Sequence, residues 1–116
     1  MIINLPEFDT GQYEGCDFLM TGGNARLVIK FSETPDFIIN FDRVRWHQFT
    51  ALPNCTVEML NDSYFELIEV NNSIDLKQFL IRDRSIAKAY TKLIHYRIFL
   101  DETGCHEVFA QNASSC

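Results

Sequence analysis

The segment Ile94-His95-Tyr96-Arg97-Ile98-Phe99-Leu100-Asp101-Glu102-Thr103-Gly104-Cys105-His106-Glu107-Val108-Phe109-Ala110-Gln111 decides the fold. Ile94, Tyr96, Ile98 and Leu100 alternate with His95, Arg97 and Phe99, a period of two that sorts them onto the two faces of a strand. Asp101 to Gly104 supplies turn chemistry, and Cys105 to Gln111 returns as a second strand. Residues 94 to 111 are therefore expected to form a β-hairpin.

Upstream of that hairpin, Leu76, Phe79, Leu80, Ile86, Ala87 and Tyr90 trace a helical stripe. Asp83 interrupts the stripe, so the helix is expected to be long or broken near Arg82-Asp83-Arg84, with Ser85 capping a second segment. Asn71-Asn72-Ser73 ends a strand over Tyr64 to Val70 and offers caps to the helix. Pro53-Asn54 leads into one helical turn beginning near Asn54 or Cys55-Thr56. Further back, Gly22-Gly23-Asn24 joins a strand over Gln12 to Thr21 to Ala25-Arg26-Leu27-Val28-Ile29-Lys30-Phe31, a second hairpin. Phe37, Ile39 and Phe41 restart the alternation, but Val44 and Trp46 carry the opposite parity. A β-bulge near Asp42-Arg43 would reconcile them, and the shared parity of Val44 and Trp46 places Trp46 in the core. Strands first, a helix late and no β-α-β alternation give an α+β fold. The expectation is one domain over residues 1 to 116, a bent antiparallel sheet of about six strands with one long or broken helix before the C-terminal hairpin.

The composition suits this. With 116 residues, 47% of them hydrophobic, and 10 Lys+Arg against 16 Asp+Glu, the chain is too apolar and too modestly charged for disorder. No apolar run reaches membrane-spanning length, and the first residues lack the basic and apolar regions of an export signal, so a cytoplasmic protein is expected. A net charge of −6 argues against a nucleic-acid partner, which demands clustered Lys and Arg. The charge is uneven. Residues 1–76 hold 4 basic and 12 acidic side chains, residues 77–97 hold 6 and 1, and residues 98–116 hold 0 and 3.

Four cysteines, Cys16, Cys55, Cys105 and Cys116, read as reduced thiols in a chain without an export signal. Cys16 and Cys105 fit as small buried residues in strands, and Cys116 as a terminal thiol. Their spacing contains no local chelating pair; His47, His95 and His106 could complete a site only in three dimensions, and neither metal nor cofactor is expected. No G-x-S-x-G, Walker A, GxGxxG or H-E-x-x-H motif occurs. Cys105 and His106 are adjacent in a strand and point to opposite faces, so they cannot form a dyad with each other. His95 with Glu107, or Glu66 with Glu107, can meet across strands as a pair capable of acid–base work. Arg45 and Trp46 are residue types that anchor interfaces.

The run Tyr64 to Ser73, the helix after it, His95 to Asp101 and Gly104 to Ala110 resemble a group of small stand-alone bacterial proteins, some of them encoded near secreted polymorphic toxins. The resemblance covers about half the chain and implies a cytosolic, non-catalytic bacterial protein, with neutralisation of a toxin by binding it as one role open to it; it carries over no functional residue. Together with the acidic N-terminal two-thirds, it leads to a binding protein that neutralises a basic toxin domain by protein–protein contact. Glu58, Asp62 and Glu69 are the candidate contact residues, with Arg45 and Trp46 as anchors. One alternative is a small enzyme or ligand-binding domain with a pocket in the curved sheet using His95, Glu107 or Cys105. Another is a homo-oligomer associating through unpaired edge strands and Phe-rich faces.

Overall fold

The computed structural model describes residues 3–5, 10–82 and 92–115. In chain order the elements are β1 (Ile3–Asn4), β2 (Tyr13–Thr21), β3 (Asn24–Phe31), β4 (Phe37–Asp42), β5 (Trp46–Ala51), α1 (Val57–Ser63), β6 (Glu66–Glu69), α2 (Ile74–Arg82), β7 (Ile94–Leu100), β8 (Gly104–Ala110) and β9 (Asn112–Ser115). The fold is α+β, and the C-terminal hairpin is β7–β8, paired from Ile94↔Ala110 to Leu100↔Gly104. The expected single bent sheet of about six strands is corrected: the described strands form two antiparallel sheets, ordered β1-β6-β7-β8-β5 and β2-β3-β4-β9.

The reason for two sheets lies at one bend. β4 pairs with β9 up to Asp42↔Asn112, and β5 pairs with β8 from Trp46↔Phe109. Three residues on one strand therefore face two on the other, which is a bulge. Arg43 sits there with φ 53, and the bend is fastened by Val44 N–H to Gly23 O at 2.7 Å, Arg45 N–H to Phe109 O at 2.8 Å and Gln111 N–H to Asp42 O at 2.9 Å. The parity change thus marks the point where a two-stranded ribbon leaves one sheet and enters the other. Val44 still packs on the core. Trp46, expected beside it, does not: it is half-buried and stacks on Phe109 (4.3 Å between ring centroids) on the opposite face of the sheet.

Between the sheets lie Ala25, Leu27, Ile29 and Phe31 of β3, Ile39 and Phe41 of β4, Leu67 of β6, and Tyr96, Ile98, Leu100, Val108 and Ala110 of the hairpin. Each fully buried Leu, Ile or Phe among them contributes about 1.5–3 kcal/mol. All seven residues of β8 are buried: the second sheet covers one face, and on the other Phe79 of α2 and Trp46 pack on Phe109. Gly104 opens β8 with φ 145, where a side chain would run into the Thr50 carbonyl.

Thr56 caps α1, accepting from Met59 N–H at 3.3 Å, so the expected single turn becomes two. The strand expected over Tyr64 to Val70 is shorter, Glu66–Glu69, since Tyr64 ends α1 and Phe65 takes φ 50. Ser73 caps α2 through Leu76 N–H at 3.0 Å. The expected helix break at Arg82-Asp83-Arg84, the segment from Ser85 and the Cys116 thiol lie at or beyond the edge of the described residues. Among the described residues no helix is long and apolar enough to cross a membrane.

Candidate functional site

The helix-facing side of β7 and β8 carries a polar network. His95 and Arg97 are two apart on β7 and share a face with Glu107 of β8, whose register partner is Arg97. His95 Nε2–H donates to Glu107 Oε2 at 2.8 Å, and Arg97 Nε–H donates to Glu107 Oε1 at 3.3 Å. With Nε2 protonated, His95 Nδ1 accepts from the Ser73 hydroxyl at 2.6 Å. Burial pushes the Glu107 carboxyl up, but the His95 hydrogen bond and the Arg97 charge outweigh it and hold the group below the usual carboxylate range. The pairing of His95 with Glu107 foreseen across strands is therefore present, whereas Glu66 stands opposite Asn4 of β1.

Ser-His-Glu connectivity invites comparison with a hydrolytic triad, but the surroundings do not suit one. The His95 and Glu107 side chains are 1% and 4% exposed. Phe109 lies edge-on to His95 at 5.0 Å, with Trp46 stacked on Phe109 and Phe79 of α2 edge-on to it at 5.3 Å. The Ser73 hydroxyl is occupied by the Leu76 amide and by His95. No buried side-chain nitrogen or oxygen among the described residues lacks a partner. The groove above, about 350 Å3, is lined by Trp46, Gln48, Asp75, Gln78, Phe79, Arg82 and Phe109, and reaches neither His95 nor Glu107. The network positions α2 on the sheet. Cys105, the third residue of the pocket alternative, is fully buried, and burial and then the Glu107 charge push its thiol up to about 12.

On the opposite face of β8, between the sheets, His106 joins two residues distant in sequence. Its Nε2 lies 3.4 Å from Cys16 Sγ and its Nδ1 3.2 Å from His47 Nε2, while His47 stacks on Phe18 at 3.7 Å. Tyr13 bonds Thr103 at 2.7 Å and reaches the Cys16 thiol, extending the chain of contacts to the β7–β8 turn. A nucleophilic cysteine needs a thiolate beside an imidazolium. Here burial raises the Cys16 thiol and, with the His47 charge, lowers His106 to about 4, so both partners stay neutral. Cys16, expected as a small buried apolar residue, is half-buried and hydrogen-bonded. The shared inward parity of Cys16 and Phe18 was the signal that could have found this cluster. Among the described residues no group of three or more His, Cys, Asp or Glu side chains is arranged to hold a metal ion.

The five candidate contact residues separate into groups. Glu58 and Asp62 are exposed on one side of α1 together with Val57, which is 70% exposed. Nearby, Tyr64 O–H donates to Asp101 at 3.2 Å, and Leu52 N–H bonds the Thr103 carbonyl of the same β7–β8 turn. Residues 52–64 and 101–103 therefore build one end of the molecule; they contain four acids, Glu58, Asp62, Asp101 and Glu102, and no Lys or Arg. Leu52, Val57 and Tyr64 are exposed there among the acids. Arg45 and Trp46 lie at the other end of β5, roughly 16 Å along the strand. Glu69 is on β6, three strands from β5 and opposite Tyr96.

No family model, curated protein or solved structure matches this chain. The functional reading accordingly rests on the chain's own geometry.

Proposed function

We propose that this is a non-catalytic binding protein that makes a stoichiometric contact with a basic protein, through the end built by Leu52, α1, Tyr64 and the β7–β8 turn. The carrying observation is the composition of residues 52–64 and 101–103: they combine Glu58, Asp62, Asp101 and Glu102 with exposed Leu52, Val57 and Tyr64 and contain no Lys or Arg. Apolar anchors supply affinity, and acidic side chains around them speed encounter with a basic surface and disfavour acidic ones. A toxin that cleaves nucleic acid must attract phosphates, so an acidic inhibitor can occupy its substrate site. Immunity against such a toxin is the most concrete form of the reading. The sealed His95–Glu107 pair adds support, because acid–base chemistry there has no route to a substrate.

The test is to express the chain together with any toxin domain found encoded beside its gene. Wild type should rescue growth, the purified complex should weaken steeply with salt, and Glu58→Lys with Asp62→Lys should abolish rescue while leaving the fold intact. Rescue undiminished by the double variant, or no fitness cost when the gene is deleted beside an active toxin, rules the reading out.

A further inference from the structure

The outer face of α2 is unusual in both composition and order. Ile74 and Ile81 are 69% and 79% exposed, the latter the most exposed large apolar side chain described. Asp75, Gln78 and Arg82 are exposed beside them; among the described residues neither Asp75 nor Arg82 forms an ion pair, and Arg82 Nε–H donates to the Gln78 carbonyl at 3.4 Å. At 100° per residue, Gln78 lies at the centre of this face, with Asp75 and Arg82 along one side and Ile74 and Ile81 along the other. Both pairs are seven residues apart and nearly centred on Gln78.

Such a face is complementary to itself. A two-fold axis crossing the helix at Gln78 brings a second α2 against the first in antiparallel sense and keeps each side on its own side. Asp75 then meets Arg82 of the other copy, Arg82 meets its Asp75, and the isoleucines pair in the same reciprocal way. Helix dipoles run oppositely in this arrangement, which also favours it. The aromatic groove of Trp46, Phe79 and Phe109 borders the charged side and extends the contact toward β5.

We infer that a second copy of this chain docks on α2, giving a symmetric homodimer with reciprocal Asp75–Arg82 pairs and a shared Ile74/Ile81 seam. Two nine-residue helices bury little area, so the association is weak and reversible. It leaves the acidic end free, and its test needs no partner protein, so it stands or falls separately from the proposed function.

Sedimentation equilibrium of the full chain over a wide concentration range should show the 13.5 kDa species converting to one of twice that mass. Asp75→Arg alone and Arg82→Asp alone each set like charges against each other twice, and should weaken self-association about tenfold or more. Mixed in equal amounts, these two variants regain both opposite-charge pairs and should form a heterodimer as tight as wild type. Circular dichroism checks that α2 survives each change. If it does not, Ile81→Gln at its exposed position carries the test and should loosen the dimer as well. A wild type that stays monomeric throughout, single charge variants that dimerise like wild type, a mixture no tighter than its components, or a dimer indifferent to Ile81→Gln would each overturn the inference.

Discussion

The two faces of β8 bury ionisable groups in opposite ways. Toward the helices, Glu107 stays charged because Arg97 lies opposite it in the register and His95 donates to its other oxygen. Between the sheets, the polar side-chain partners of His106 among the described residues are the Cys16 thiol and the His47 imidazole, and burial keeps it neutral by lowering it to about 4. One strand thus carries a paired charge on one side and an avoided charge on the other. The difference shows that burial alone does not set protonation; the cross-strand neighbour does.

Breaking the charged side should cost most. Glu107→Ala leaves Arg97 and His95 without their acceptor and should destabilise the chain by about 3–5 kcal/mol, read from denaturant unfolding. A loss below about 1 kcal/mol would mean that the network closes around water instead.

The neutral side should appear in the pH dependence. An unfolded histidine titrates near about 6.5, so as pH falls the unfolded chain takes up a proton before folded His106 does. Stability should be complete above about pH 6.5, decline by about 2–3 kcal/mol toward pH 4, and then level off as far as His106 is concerned. His47, lowered by burial, steepens the same decline. Glu107 acts further down: its contribution is present above the ordinary carboxylate value and is lost as pH drops through its own depressed one. His106→Phe should flatten the slope between about pH 6.5 and 4; an unchanged slope would assign it to other groups.

Smaller effects separate the faces further. Ser73→Ala removes both the cap of α2 and the hydroxyl on His95, for about 1–2 kcal/mol, with amide exchange accelerating in α2 before the sheet. Cys16→Ala removes one long thiol–imidazole contact from a half-buried site and should cost only about 0.5 kcal/mol, without touching α2.

How much of this was legible in the sequence follows from the range of each signal. Both hairpins, the bulge at Asp42-Arg43 and the His95–Glu107 meeting are set by period-two patterns and short turns, and these could be read. The second sheet could not, because Asn112 to Ser115 carries no apolar alternation and becomes a strand only by pairing with Ile39 to Asp42. Trp46 shares its sequence parity with Val44, but the ribbon changes sheets at the bend beside them, which leaves Val44 on the core and Trp46 on Phe109 at the other face. The Cys16–His106–His47 contact joins three strands from two sheets; the parity of Cys16 and Phe18 tells which face of β2 turns inward, but not which strands it meets there. The candidate contact residues were chosen by charge and residue type alone. Glu58 and Asp62 do share a face; Glu69, Arg45 and Trp46 lie elsewhere on the sheet.

The ribbon that crosses from one sheet to the other also has a consequence for biosynthesis. β8 is an interior strand of the first sheet, joining β7 to β5, and β9 completes the second, and both come from residues 104–115, so neither sheet can close while that stretch remains inside the ribosome. The β2–β3–β4 meander can emerge and pair early, but its apolar face then waits for a hairpin that has not yet been made. Folding of the whole is therefore expected after this stretch has left the exit tunnel, and a nascent chain stalled before it should remain sensitive to protease.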